Sequence, residues 1–190
     1  MSKKNTKKKQ NLGRVFEKTF EDSVDETGYW WFRVRDVNPA ALKNRFAIPR
    51  NPYDMMIHNG ELLFTLELKS TQNKSFRHRG KSPQIQPHQI EALVKASKHP
   101  NIVSGLILNF RTVNKTYFLH IKDFLEYNQI SKGEIENPYS CQVNEMSISL
   151  AFCEEVGIEV YSVIKRKYNR YFINDLLGNL TQLYKSGRWS

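Results

Sequence analysis

Residues 52–71, PYDMMIHNGELLFTLELKST, decide the fold prediction because they contain two apolar runs separated by Asn59 and Gly60. An Asn-Gly pair in this setting is the strongest short-range signal for a β-hairpin. We predict strands at about residues 54–58 and 61–70, with Asn59 and Gly60 as a two-residue loop. In that register His58 lies opposite Glu61, and Asp54 lies opposite Thr65.

The same hairpin places charged side chains together on one face of the sheet. Thr65, Glu67 and Lys69 alternate onto the face that carries Asp54, because successive strand residues point to opposite sides. Asp54 and Glu67 are then diagonal neighbours, with Cα atoms about 7–8 Å apart. Two carboxylates so close need a compensating cation, and oxygen ligands of this kind suit Mg²⁺ or Mn²⁺.

A divalent ion held there could polarise a phosphoryl oxygen and activate a water molecule for phosphodiester hydrolysis. Lys69 would orient or deprotonate that water, or stabilise the charge that develops in the transition state. The same spacing also occurs on the solvated faces of ordinary hairpins. The spacing alone therefore leaves both interpretations open.

The segments around the hairpin predict a mixed α/β chain. Leu12, Phe16, Phe20 and Val24 recur every four residues and indicate a helix. The aromatic run 29–37 predicts a strand, and the polar, basic segment 71–87 predicts an exposed loop. Further on, we predict a helix from Pro87 to about residue 98, strands at about 103–110 and 116–120, a short helix near 122–127 and a helix around 173–184.

The length and amino-acid composition of the chain indicate what kind of protein it is and what kind of partner it binds. The 190 residues fit one domain, which we place at residues 11–190 after a flexible basic arm at residues 1–10. The chain has 29 Lys and Arg residues against 19 acidic ones, a net charge of +10 that favours a nucleic acid partner. Cys141 and Cys153 have no metal-site spacing, and no apolar run is long enough to span a membrane. We therefore expect a soluble cytoplasmic protein with reduced thiols.

Several motifs together resemble one known family. The segment GRVFE at residues 13–17, Asp54, the run ELKSTQNKSF at residues 67–76, and the pair His88-Gln89 follow one another in that order. This set resembles the PD-(D/E)xK nuclease superfamily, and within it the RecU-like Holliday junction resolvases of Gram-positive bacteria and their phages.

The resemblance implies a restriction-endonuclease-like fold, in which helices flank a mixed central sheet, and a homodimer that cleaves four-way DNA junctions with Mg²⁺. It implies that Glu17, Asp54 and Glu67 bind the metal ion, with the carbonyl of Leu68 as a further ligand, and that Lys69 handles the water. Gln89 would contact the metal-bound water or the scissile strand; otherwise it is a plain helix-surface residue. The basic residues of segment 71–87 would track DNA phosphates or form a charged surface loop: Lys74, Arg77, Arg79 and Lys81.

One departure from the family concerns the substrate. RecU-like proteins carry a long proline-containing stalk before the metal-binding aspartate, whereas only residues 36–53 occupy that interval here. Resolution of four-way junctions remains the leading expectation. The alternatives are a sequence-specific endonuclease on the same fold and a protein that binds branched DNA without cutting it.

Overall fold

The computed structural model describes residues 11–34 and 51–189. The predicted basic arm at residues 1–10 and most of the shortened stalk interval lie outside the described residues. The helices are α1 (Leu12–Asp25), α2 (Pro87–Ser97), α3 (Ile121–Ser131), α4 (Leu150–Val156) and α5 (Ile173–Lys185). The strands are β1 (Trp30–Arg33), β2 (Met55–His58), β3 (Leu63–Thr71), β4 (Ser75–Arg77), β5 (Ile102–Phe110), β6 (Lys115–His120), β7 (Ser147–Ser149), β8 (Ile158–Glu159), β9 (Ser162–Lys165) and β10 (Tyr168–Tyr171).

Six of these strands form the central sheet, in the order β1-β2-β3-β5-β6-β8. Strands β3 and β5 run parallel, and the other neighbouring pairs are antiparallel. The parallel pair requires a crossover, which contains α2. Two short pairs, β4 with β7 and β9 with β10, lie outside this sheet.

Helices cover both faces of the sheet, so the predicted mixed α/β architecture is confirmed. On one face, Phe64, Leu66 and Leu68 of β3 pack in a cluster with residues of α1 and α5. On the other face, Leu106 and Leu108 of β5 pack in a cluster with residues of α2, α3 and α4. Glu67 and Lys69 pair with Leu106 and Leu108, and therefore lie on the α2 side of the sheet. Within the described ranges, no helix is both long and apolar enough to cross a bilayer.

Gly105 in β5 gives a test of how tightly the sheet packs. A Cβ atom there would lie 2.5 Å from the Leu119 carbonyl oxygen and 2.5 Å from a ring carbon of Phe118. We expect Gly105→Ala to lower the free energy of unfolding by about 2–3 kcal/mol, a typical cost of overpacking. Urea unfolding followed by tryptophan fluorescence measures this change.

Gly178 supplies the matched control for this substitution. It lies in the interior of α5, and a Cβ atom would meet nothing within 4 Å. We expect Gly178→Ala to raise the free energy of unfolding by about 0.5–1 kcal/mol, since alanine favours helix. Equal unfolding midpoints for the two variants would contradict the packing described at Gly105.

Candidate active site

The predicted turn at Asn59 and Gly60 is present, but its loop is longer than two residues. The Asn59 side-chain oxygen accepts hydrogen bonds from the backbone N–H groups of Glu61 (3.0 Å) and Leu62 (2.9 Å). His58 consequently pairs with Leu63 and not with Glu61. The predicted register, with Asp54 opposite Thr65, was therefore wrong by two residues. A two-residue shift keeps every side chain on its predicted face, because strands alternate with a period of two.

The corrected register brings Asp54 closer to Glu67 than the prediction did. Met55 pairs with Leu66, and the Asp54 backbone N–H donates to the Leu66 carbonyl at 3.1 Å. The Asp54 carboxylate is also held, since its Oδ2 accepts a 2.8 Å hydrogen bond from the backbone N–H of Leu68. Asp54 therefore continues the line of β2 and lies directly opposite Glu67. The prediction had placed the two residues as diagonal neighbours.

Glu67 is the buried centre of this arrangement, with only 1% of its surface exposed. Its Oε1 atom accepts hydrogen bonds from Lys69 Nζ at 2.7 Å and from Gln89 Nε2 at 2.5 Å. Its Oε2 atom is buried and has no hydrogen-bond partner among the described residues. A buried carboxylate oxygen without a partner is costly, so this atom marks a place where a ligand would be stabilising.

Burial, followed by the neighbouring Asp54 charge, raises the pKa of Glu67 to about 8 against the opposing effect of Lys69. The metal-free fold therefore favours the protonated form of Glu67 at neutral pH. A divalent cation between the two carboxylates would reverse that preference. The orphaned oxygen and the raised pKa both fit a cation site.

The start of α2 fixes Gln89 against Glu67. Pro87 begins the helix, where its missing N–H costs nothing. The backbone N–H of Gln86 donates to the Gln89 side-chain oxygen at 3.0 Å, leaving the Gln89 amide nitrogen to donate to Glu67. Both the oxygen and the nitrogen of the Gln89 side-chain amide are therefore hydrogen-bonded, and Gln89 contacts Glu67 instead of lying free on the helix surface.

An open cavity of about 460 Å³ lies above these residues. Its lining includes every residue predicted to bind the metal ion or to handle the water. It also includes Asn51, Gln86 and His88, for which the sequence predicted no role. Its walls are formed by Glu17, Asn51, Asp54, Glu67, Leu68, Lys69, Gln86, His88 and Gln89. The structure thus brings Glu17 of α1 to the same cavity as Asp54 and Glu67, which belong to the β2–β3 hairpin.

Glu17 does not join the two carboxylates directly in this conformation. Arg33 of β1 donates to its Oε2 at 2.6 Å and lies 3.7 Å from Glu21. Among the described residues, no three His, Cys, Asp or Glu side chains converge closely enough to hold a metal ion. In this conformation Glu17 is thus engaged with Arg33, through one of its two carboxylate oxygens.

Sequence reasoning missed Arg33 as a neighbour of the site. It contacts Glu17 across 16 positions of the chain, a separation to which no local pairing rule applies. The only available signal was a basic residue inside the aromatic run 29–37. Gln86 was missed in the same way, because its role depends on the cap of α2.

The four basic residues of segment 71–87 are placed differently from one another. Lys74, Arg77 and Lys81 are exposed on the segment that links β3 to α2, whose two ends both reach the cavity. Arg79 instead pairs with Glu145 at 2.6 Å and donates to Asn128 at 2.9 Å. The segment is also less loop-like than predicted, since residues Ser75–Arg77 form β4 and pair with β7.

The fold and the site define an α/β protein with a cluster of carboxylates and a lysine at a central strand. Comparisons with known proteins identify its family. The family model described as Recombination protein U matches residues 57–166, a range that includes Glu67, Lys69 and Gln89 and begins just after Asp54. The SPbeta prophage-derived uncharacterized protein YotM of Bacillus subtilis (strain 168) is 40% identical over 177 residues, which cover 93% of this chain and 90% of that protein.

This chain belongs to the Recombination protein U family, and the family resemblance seen in the sequence is confirmed. Among solved structures, the chain is also similar to Hjc, a Holliday junction resolvase from the archaeal hyperthermophile Archaeoglobus fulgidus. That match has a TM-score of 0.49 and 14% identity, and covers 77% of this chain and 95% of Hjc.

Proposed function

We propose that this protein is a metal-dependent DNA endonuclease that resolves Holliday junctions or related branched DNA. The observation that carries the proposal is the buried Glu67 carboxylate: its Oε2 has no hydrogen-bond partner among the described residues, and Glu67 lines one cavity together with Asp54 and Lys69. Membership of the Recombination protein U family and the net charge of +10 support DNA as the substrate.

Asp54 and Glu67 would hold Mg²⁺, or Mn²⁺, with the Leu68 carbonyl and Glu17 as further ligands. Hard oxygen donors of this type, with water completing the shell, are what these ions prefer. When bound, the ion supplies Lewis acidity and lowers the pKa of a coordinated water. In this conformation Arg33 lies 2.6 Å from Glu17 Oε2, so Glu17 would bind the ion through its other oxygen or after leaving Arg33.

Lys69 and Gln89 are the residues that act around the two carboxylates. Both donate to Glu67 Oε1, so they fix one oxygen of the carboxylate and leave Oε2 without a hydrogen-bond partner among the described residues. The Lys69 side chain is 20% exposed, which leaves its ammonium group able to hold a water or to stabilise charge on a phosphoryl oxygen. Lys74, Arg77 and Lys81 are exposed and would contact phosphates beside the cavity, whereas the pair with Glu145 makes Arg79 less available.

We further propose that the protein acts as a homodimer, because two symmetric cuts in a junction need two active sites. Trp30 and Phe32, 58% and 51% exposed on the edge strand β1, offer apolar surface for such an association. Sedimentation velocity of the unmodified protein measures this directly, and a monomer at micromolar concentration would contradict it.

Cleavage of a labelled junction tests the proposed function. The purified full chain is incubated with a four-way junction, and separately with linear duplexes of several sequences, in Mg²⁺ or in EDTA. We expect paired cuts in the junction with Mg²⁺ only, and none with Glu67→Gln, which removes the charge but keeps the side-chain shape.

The alternatives predict different results in the same experiment. Binding of the junction without cleavage by the unmodified protein would support a non-cleaving branched-DNA protein and end the enzyme proposal. Cleavage confined to particular duplex sequences would support a sequence-specific endonuclease. Cleavage in EDTA would contradict the metal requirement.

A further inference from the structure

The β9–β10 hairpin carries a basic tip that the proposed mechanism does not use. Residues 165–167 read Lys-Arg-Lys, all three are exposed, and Arg166 turns the chain with a φ of 62°. In the part of the chain that the structure describes, these three side chains form no ion pair. The tip therefore presents three uncompensated positive charges to solvent.

One face of the hairpin alternates basic and apolar side chains, and part of it borders a cavity beside α1. Lys165 pairs with Tyr168, and Val163 pairs with Arg170, so these four residues share one face. Tyr168 and Val163 are 50% and 48% exposed. Of the two cations on this face, Arg170 is partly neutralised by Glu26 at 2.5 Å. Cations interleaved with an exposed aromatic ring suit a polyanion that also offers flat rings or sugar surface.

Tyr171, on the opposite face, holds the base of the hairpin against α1. Tyr171 is buried, with ring centroids 5.9 Å from Phe16 and 5.4 Å from Phe20. Its backbone N–H donates to the Ser23 hydroxyl at 3.0 Å. The tip is thus mounted on a packed base, which limits the conformational entropy lost when a ligand binds it.

Helix α1 connects the hairpin to the candidate active site. Phe16 faces the hairpin while Glu17 lines the cavity, so the two sites lie on different sides of the same helix. The base of the hairpin therefore contacts the same helix that contributes Glu17 to the cavity, and a DNA arm that runs along α1 from the cavity would meet the hairpin.

We propose that the β9–β10 hairpin is a second DNA contact, which binds the phosphate backbone of the arm whose scissile bond enters the cavity. The inference rests on the proposed function for its ligand. Phosphate contacts of this kind add affinity without sequence preference and fix the orientation of the duplex. A two-stranded ribbon is also narrow enough to follow a DNA groove.

Binding measurements without cleavage test the hairpin. The test variant of the full chain combines Lys165→Ser, Arg166→Asn and Lys167→Ser; Asn is chosen because it tolerates positive φ. Affinity for a fluorescent four-way junction is measured in Ca²⁺ between 50 and 300 mM salt. We expect about tenfold weaker binding near 100 mM, and a plot of log affinity against log salt that is shallower by about two to three units.

A control of equal charge loss lies at the other end of the sheet. Lys95→Ser, Lys98→Ser and Lys185→Ser remove three exposed cations near the start of β5 and the β2–β3 loop. We expect this variant to keep the salt dependence within about one unit of the unmodified protein, since contacts at a phosphate set the slope.

The possible outcomes separate this inference from the proposed function. Unchanged affinity and slope in the hairpin variant would overturn the inference, even if the unmodified protein cuts junctions. A change of oligomeric state on sedimentation of the hairpin variant would also overturn it, by assigning the hairpin to a second copy of the chain. Weaker binding by the variant, with no cutting by the unmodified protein in Mg²⁺, would support the hairpin contact and reject the nuclease.

Discussion

Asp54→Asn is expected to slow junction cleavage by about 10²–10³-fold, the range seen when one electrostatic group is removed from an active site. Asn has the shape of Asp and keeps an oxygen that can accept the 2.8 Å hydrogen bond from the Leu68 N–H. The variant therefore keeps the local backbone and loses only the negative charge. The rate is measured from single-turnover cleavage of a labelled junction at saturating Mg²⁺.

Loss of that charge has a second consequence that a structural defect would not produce. The Asp54 charge is one cause of the raised pKa of Glu67, after burial itself. Asp54→Asn should therefore lower the pKa of Glu67 in the metal-free protein. Affinity for Mn²⁺, measured by calorimetry, should fall because one carboxylate ligand is missing.

Asp22→Asn is the matched control for the Asp54 substitution. Asp22 is an exposed carboxylate of α1 that pairs with Lys18 at 2.7 Å and does not line the cavity. The control should cleave at the rate of the unmodified protein. A folded Asp54→Asn protein that also cleaves at that rate would remove Asp54 from the proposed metal site.

The sequence predicted well which side chains of the site lie on the same face of the sheet. The predicted hairpin loop was too short, because the Asn59 side chain caps a longer turn. The resulting two-residue error preserved the alternation of β3, so Glu67 and Lys69 still faced the Asp54 side. Periodicity therefore predicted which side chains meet, although it did not predict their exact pairing.

Contacts between distant segments could not be predicted in the same way. The ion pair of Glu17 with Arg33 depends on how α1 packs beside β1, which no local pattern encodes. Strands β4 and β7 have three residues each and pair across about seventy positions of the chain. Runs so short show no periodicity, and their strand conformation comes from tertiary pairing.

Glu67→Gln is expected to stabilise the metal-free protein at neutral and alkaline pH. Gln keeps an oxygen that can accept from Lys69 and Gln89, and it removes a buried group whose pKa is about 8 in the fold against 4.5 as the ordinary value. Between these two pH values the unfolded chain has released the Glu67 proton while the fold retains it. The free energy of unfolding of the unmodified protein therefore loses a contribution from this group as pH rises.

The difference between the two proteins has a defined pH window and sign. It should be small below about pH 4.5, grow as pH rises to about 8, and stay level above that. The two pKa values differ by about 3.5 and one pKa unit corresponds to about 1.4 kcal/mol, so the gain for Glu67→Gln should reach on the order of 5 kcal/mol. Urea unfolding in EDTA at several pH values measures it. Glu61→Gln, at an exposed residue paired with Lys185, should show no such trend.

Divalent cations should narrow the difference in stability between the two proteins. A ligand that binds only the folded state stabilises it in proportion to the logarithm of its concentration over Kd. Mg²⁺ should therefore raise the free energy of unfolding of the unmodified protein at pH 8 and leave that of Glu67→Gln nearly unchanged. Equal stabilisation of both proteins by Mg²⁺ would place the ion elsewhere. A Glu67→Gln protein that is less stable than the unmodified one in EDTA at pH 8 would show that Glu67 is a satisfied structural group and not a ligand kept ready for a cation.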